Sequence, residues 1–101
     1  MALDFYRLGT KERIYSLEEQ SFDLLEPIWT MFSYRTGQVI DMYGQSRLSV
    51  DNCKTLVSII ELYGKETNLN LDKARTAAIF EFAGALKYFI SQNIDLNLVG
   101  D

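Results

Sequence analysis

Apolar residues recur with helical spacing in three long segments of the chain, and the most uniform of these spans residues 71–93. Its side chains are apolar on almost every side, and many of them are alanine. A helix that is apolar all round has to be buried in a core or covered by a partner. We therefore predict one long helix here, capped by Asn70 and stopped by a left-handed Asn93.

Another helix is predicted to begin after Ser16, because Ser16 and Glu19 have the spacing of a capping box. Apolar residues occupy about half of its helical wheel, and the pattern runs to about residue 35 and stops at Gly37. Pro27 falls on the polar half. Since proline has no backbone N–H, we expect a kink there or, alternatively, a break into two helices.

The helix between these two is predicted to begin after Ser49 and to end at Gly64. Ser49 is a good N-cap residue, and Asp51 in the first turn complements the helix dipole. One stripe of this helix is apolar and should be buried: Cys53, Leu56, Val57, Ile60 and Tyr63.

Three short stretches do not have helical spacing. Residues 3–8 fit a strand or an arm packed on the helices, residues 39–43 a strand or a tight loop, and residues 94–101 an extended tail on the core. We predict a mainly α fold with a single domain over residues 1–101. It has a three-helix core with extended N- and C-terminal segments and, as an option, a short β ribbon. The predicted core residues are Trp29, Phe32, Leu56, Ile60, Phe82, Leu86 and Phe89.

Composition agrees with a folded protein and points to a reducing compartment. The chain is 48% hydrophobic and 24% charged, more apolar than disordered segments are. Its single cysteine cannot form an internal disulfide, which favours the cytoplasm. The start of the chain lacks the features of a signal peptide, and charges interrupt every long apolar window, so we expect no membrane span.

Residue usage excludes most catalytic and metal chemistry. There is no histidine, and one cysteine cannot build a zinc site. Glycine-rich phosphate loops and calcium-loop motifs are also missing from the sequence. We therefore predict no catalytic, metal or cofactor-binding residues. The net charge of −4 with scattered basic residues also disfavours nucleic-acid binding.

An acidic stripe is the first candidate functional surface. Glu19, Asp23 and Glu26 fall within about 60° of each other on the helical wheel, opposite the apolar half. A patch of one charge can attract a basic partner, although an ordinary solvated helix face fits the same pattern. Asp41 and Tyr43 lie in the following loop. We predict that Asp23, Glu26, Asp41 and Tyr43 bind a basic protein.

The back of the third predicted helix is the second candidate. Phe80 points away from the main apolar face and is flanked by Ala77, Gly84 and Tyr88. Packing between the other helices, or cover by the arm or tail, would bury this patch within the monomer. The alternative is a homodimer interface formed by Ala77, Phe80, Gly84 and Tyr88.

The loop before the second helix carries the pattern Thr36-Gly37-x-x-Ile40-Asp41-x-Tyr43-Gly44, and Leu48-Ser49 opens the helix. Together with Leu3-Asp4-Phe5-Tyr6 and the closing Gly100-Asp101, it resembles small uncharacterised bacterial proteins, some of which look like immunity proteins that neutralise a toxin encoded nearby. This resemblance implies a bacterial cytoplasmic binding protein without catalytic residues.

The predicted function is therefore a small acidic protein-binding module of immunity or inhibitor type. A structural protein that oligomerises through the Phe80 face is the alternative. An enzyme using Asp41 or Tyr43 comes third.

Overall fold

The computed structural model describes residues 1–100, and Asp101, the last residue of the predicted tail, lies outside the described residues. Within residues 1–100, four strands and four helices follow one another. In order they are β1 (Ala2–Arg7), β2 (Arg13–Glu18), α1 (Glu19–Leu24), α2 (Glu26–Thr36), β3 (Gln45–Leu48), α3 (Val50–Glu66), α4 (Lys73–Ser91) and β4 (Leu96–Gly100).

The strands form one antiparallel sheet in the order β2-β1-β4-β3. The two strands nearest the chain ends are therefore its centre, with Phe5 of β1 opposite Leu98 of β4. Side chains alternate along each strand, so that Leu3, Phe5 and Leu98 are fully buried while Asp4 and its neighbours on the other face keep contact with solvent.

The helices cover the buried face of the sheet. Phe5 packs against the rings of Phe82 and Phe89 on α4, which places this helix directly over the central strands. Trp29 of α2 contacts the Phe82 ring as well. The sheet, α2, α3 and α4 thus share one hydrophobic core. No helix within residues 1–100 combines the length and the apolar character that crossing a membrane requires.

The prediction of a mainly α fold was wrong, because the chain adopts an α/β fold with a four-stranded sheet. The extended ends are its central strands rather than an arm and a tail lying on a three-helix core. Two edge strands were not foreseen. β3 is only four residues long and largely polar, with Gln45 and Arg47 exposed, so it has no apolar alternation to reveal it.

The predicted start of the first helix was also wrong. Ser16 lies in β2, where its hydroxyl donates a hydrogen bond to Asp4 (2.8 Å) instead of capping a helix. The helical segment begins at Glu19 and breaks at Leu25, with Pro27 in the first turn of α2. The alternative of two helices is therefore correct, because proline is well tolerated in a first turn and disrupts a helix interior.

Several helix ends were predicted correctly. Gly37 ends α2 with φ 74°, Asn93 follows α4 with φ 55°, and Ser49 accepts a hydrogen bond from the N–H of Asn52 (3.1 Å). All seven predicted core residues are buried.

Other ends differ from the prediction. Helix α3 continues two residues past Gly64 to Glu66. Helix α4 is capped by Asp72 instead of Asn70, which leaves Leu71 outside the helix and 82% exposed.

Candidate functional site

A shallow hollow of about 350 Å³ lies between the start of the helical region and the loop that precedes β3. We call it the acidic hollow because three of its lining side chains are carboxylates. The lining comprises Glu19, Phe22 and Asp23 from α1 and Val39, Ile40, Asp41, Met42 and Tyr43 from the loop.

The loop side is positioned by alternate anchoring of its residues. Ile40 and Met42 are buried in the core, whereas Asp41 and Tyr43 beside them are exposed. The Asp41 carboxylate accepts a hydrogen bond from the N–H of Tyr43 (2.9 Å), which fixes a tight turn. Residues 39–43 are therefore the tight loop that the sequence left open as one of two interpretations, and the turn directs Asp41 and Tyr43 outward.

Strand β4 supports this loop from below through a close backbone contact. The N–H of Gly100 donates to the carbonyl of Gly44 (2.7 Å). A Cβ atom added to Gly100 would lie 2.0 Å from the carbonyl oxygen of Met42 and 2.8 Å from the Cα of Tyr43. Only glycine allows the loop to sit this close to the sheet, so β4 constrains the position of Tyr43.

The helix side of the hollow is held by polar contacts around the break between α1 and α2. The indole N–H of Trp29 donates to the carbonyl of Phe22 (3.1 Å), and the guanidinium of Arg75 donates to the carbonyl of Leu24 (2.8 Å). Both carbonyls belong to the last turn of α1, and that of Phe22 also accepts a hydrogen bond from the N–H of Leu25 (3.1 Å). The two side chains therefore fix α1 against α2 and α4.

One hydrogen bond joins the two sides of the hollow: the Tyr43 hydroxyl donates to the Glu19 carboxylate. This bond and the negative charge of Glu19 raise the pKa of Tyr43 above its ordinary value, and Asp23 and Asp41 add to the effect. Tyr43 therefore stays a neutral hydrogen-bond donor at physiological pH. The hollow as a whole is acidic.

The chemistry available in the hollow is recognition of positive charge. No group of three potential ligands in the described part of the chain is gathered closely enough for a metal ion. Cys53, the one thiol, is buried in α3, and burial raises its pKa to about 12, so it is a poor nucleophile. Carboxylates beside apolar side chains suit a lysine or arginine.

Three of the four predicted partner-binding residues come together here: Asp23, Asp41 and Tyr43. Glu26 does not line the hollow; it is exposed in the first turn of α2. Glu19 was interpreted as part of a helix cap, and Phe22 and Val39 were not singled out. Glu19 belonged to the predicted acidic stripe, but no local sequence signal marks Phe22 and Val39 as site residues, because the two sides of the hollow come from separate segments of the chain.

The second predicted surface is exposed on α4. Ala77, Phe80, Gly84 and Tyr88 all face solvent, with Phe80 56% and Tyr88 55% exposed. We call these four residues the α4 stripe. Packing on the sheet and α3 covers the opposite face of this helix, so the expectation that other parts of the chain bury the stripe was wrong.

Comparison with known proteins gives no family assignment. Neither protein-family models, nor curated proteins, nor solved structures match this chain. The resemblance to immunity proteins therefore stays a prediction, and the function has to be argued from the surfaces themselves.

Proposed function

We propose that this chain is a protein-binding module whose acidic hollow receives a basic side chain of a partner protein. The convergence of three carboxylates on Tyr43 is the observation that carries this proposal. Glu19, Asp23 and Asp41 come from two segments of the chain, and the described residues that line the hollow include no lysine or arginine.

The shape and polarity of the hollow suit an arginine or lysine with a long apolar stem. Phe22 and the 69% exposed Val39 offer apolar surface for the methylene groups. The carboxylates of Asp23 and Asp41 have no ion-pair partner within residues 1–100. They are free to accept charge-assisted hydrogen bonds from a guanidinium or an ammonium group.

We infer that the partner is a basic protein and that the module is of immunity or inhibitor type. The loop that resembles immunity proteins, from Thr36 to Gly44, is the same loop that forms one side of the hollow. The lone, buried Cys53 suits a reducing compartment such as the cytoplasm. Binding without catalysis agrees with the lack of histidine and of a reactive thiol.

Capture from the native cell with the immobilised chain tests this function. Two charge reversals form a matched pair: Asp23→Lys inside the hollow and Glu26→Lys three residues away and outside it. Both change the net charge equally, and both sites are exposed. The wild-type chain and the Glu26→Lys variant should retain a basic protein that the Asp23→Lys variant loses.

Association rates then separate a specific site from general attraction between opposite charges. Reversing Asp23 should slow association and weaken its dependence on salt, because a carboxylate near the binding site steers a basic partner. Equal capture by the two variants would show that only net charge matters. It would contradict the assignment of the acidic hollow as the binding site.

A further inference from the structure

Gly84 occupies an unusual place on α4. It lies in the interior of a 19-residue helix and faces solvent, and a Cβ atom added there would meet no other atom within 4 Å. Glycine is destabilising in the interior of a helix. No close contact within the monomer requires a residue without a side chain at this position. A close approach from outside the chain would explain why no side chain stands here.

The residues around Gly84 give this surface a definite chemical pattern. On the helical wheel Phe80 and Lys87 lie on one side of Gly84, and Glu81 and Tyr88 lie on the other side. Phe80 and Tyr88 expose more than half of their surface. Glu81 and Lys87 are exposed and form no ion pair within residues 1–100. The surface around Gly84 therefore combines two exposed aromatic rings of the α4 stripe with a neighbouring carboxylate and ammonium group that have no ion-pair partner.

We propose that two copies of the chain pack antiparallel through α4, with the two-fold axis at Gly84. Such an axis brings the two Gly84 backbones together and joins residues equally distant from it along the helix. A two-fold interface is isologous, so every contact occurs twice.

The contacts produced by this symmetry are complementary. On one side the Lys87 ammonium reaches the ring of the partner's Phe80, which is a cation–π pair. On the other side the Tyr88 hydroxyl reaches the carboxylate of the partner's Glu81 and can donate a hydrogen bond. Glu81 and Lys87 thus each gain a partner, while the glycines allow close approach of the helices.

A parallel arrangement does not give the same match. It would place each Glu81 beside the ring of the partner's Phe80, where a carboxylate meets the negative face of the π-system. The parallel arrangement also sets each Lys87 beside the ring of the partner's Tyr88, but it leaves each Glu81 without a hydrogen-bond donor. Only the antiparallel arrangement gives both charges a favourable partner. The contact involves one helix from each copy, which is a small interface, and we expect a weak dimer.

Sedimentation velocity of the full chain between low and high micromolar concentration tests the dimer. We expect reversible association that Phe80→Ala and Gly84→Gln each weaken by about tenfold or more. Gly64→Gln is the matched control, since Gly64 is also helical with open space around it, but lies on α3. A chain that remains monomeric at about 200 µM, or a dimer unaffected by Gly84→Gln, would overturn the proposal.

Cysteine cross-linking tests the orientation. Two copies of Gly84→Cys meet on the axis. The short side chain weakens association less than glutamine does, and an added oxidant traps the dimer as a disulfide, while the native Cys53 is buried and does not compete. Ser91→Cys lies seven residues from the axis, so at 1.5 Å per residue the two sulfur atoms would be about 20 Å apart. Efficient cross-linking at both positions would exclude the antiparallel dimer. None of these variants alters the acidic hollow, so the two proposals can fail separately.

Discussion

The acidic hollow and the α4 stripe differ in how the chain builds them. The hollow joins two separate segments of the chain: Gly100 of β4 makes a close backbone contact with the loop, and the Tyr43–Glu19 hydrogen bond joins the loop to α1. The stripe belongs to one helix, and a Cβ atom added to its Gly84 would contact nothing outside the adjacent turns of that helix. One glycine is explained by the monomer and the other is not. Open space at a helical glycine does not by itself indicate an external contact, since Gly64 has it too. At Gly84 it coincides with the exposed rings of Phe80 and Tyr88.

The largest expected effect separates the two faces of α4. Phe82 is fully buried against Phe5 and Trp29, and Phe82→Ala should lower the free energy of unfolding by about 3–5 kcal/mol. Phe80 lies on the other face, and Phe80→Ala should change it by less than about 1 kcal/mol. Urea denaturation at low protein concentration measures both. Similar losses for the two variants would show that the face assignment is wrong.

The next effect concerns the glycine below the hollow. Gly100→Ala should lower the free energy of unfolding by about 1–3 kcal/mol, because the new methyl group overlaps the Met42 carbonyl and the loop has to move. The NMR signals of residues 39–44 should shift at the same time. An unchanged loop spectrum would mean that β4 does not position the hollow.

A glycine-to-alanine substitution on α4 should change the free energy of unfolding in the opposite direction. Gly84→Ala should raise the free energy of unfolding of the monomer by about 0.5–1 kcal/mol, since alanine favours the helix and its methyl group enters open space. Thermal melts at low concentration give the comparison with Gly100→Ala. A destabilised Gly84→Ala monomer would mean that the monomer itself requires this glycine, and the contrast between the two glycines would disappear.

The smallest effect is electrostatic and lies in the hollow. Glu19→Gln should lower the pKa of Tyr43 toward its ordinary value of 10.0, because the variant removes the charge that the phenol faces. In the wild type the pKa of Tyr43 is higher in the folded chain than in the unfolded chain. As pH rises, the unfolded chain therefore loses the phenol proton at a lower pH. The stabilising contribution is therefore complete below about pH 10 and is lost above it.

Tyrosinate absorbance, taken as the difference between wild type and Tyr43→Phe, measures the titration of Tyr43. Glu26→Gln is the control, because Glu26 contributes nothing to the raised pKa. A Tyr43 titration that is the same in the Glu19→Gln variant as in the wild type would rule out the bond across the hollow.

Local patterns predicted the local features of this molecule. Helical spacing identified the buried residues of α4, and cap chemistry located Ser49 and Gly37. The sheet could not be predicted in the same way, because its central strands come from distant parts of the chain and its edge strand β3 is short and polar. Ser16 shows where local patterns mislead. Its spacing from Glu19 fits a helix cap, but the pairing of β2 with β1 determines its conformation.

The same distinction applies to the two surfaces. The α4 stripe was predicted from one helical wheel, and only its exposure had to be learned from the fold. Asp23, Asp41 and Tyr43 were chosen for charge and loop position, but the sequence does not show that they meet. Glu19 was part of the acidic stripe but was explained as a helix cap and left out of the predicted site. Glu26 belongs to the same sequence stripe, yet it lies outside the hollow because the helix breaks at Leu25.

The central claim is that the acidic hollow, rather than acidity in general, recognises a basic partner. An NMR titration of the full chain with an amidated arginine-rich peptide tests it most directly. We predict shifts centred on α1 and residues 39–43, with affinity about tenfold weaker in Asp23→Lys and less than about threefold weaker in Glu26→Lys. Shifts spread over the other acidic residues, or equal losses in the two variants, would contradict the claim.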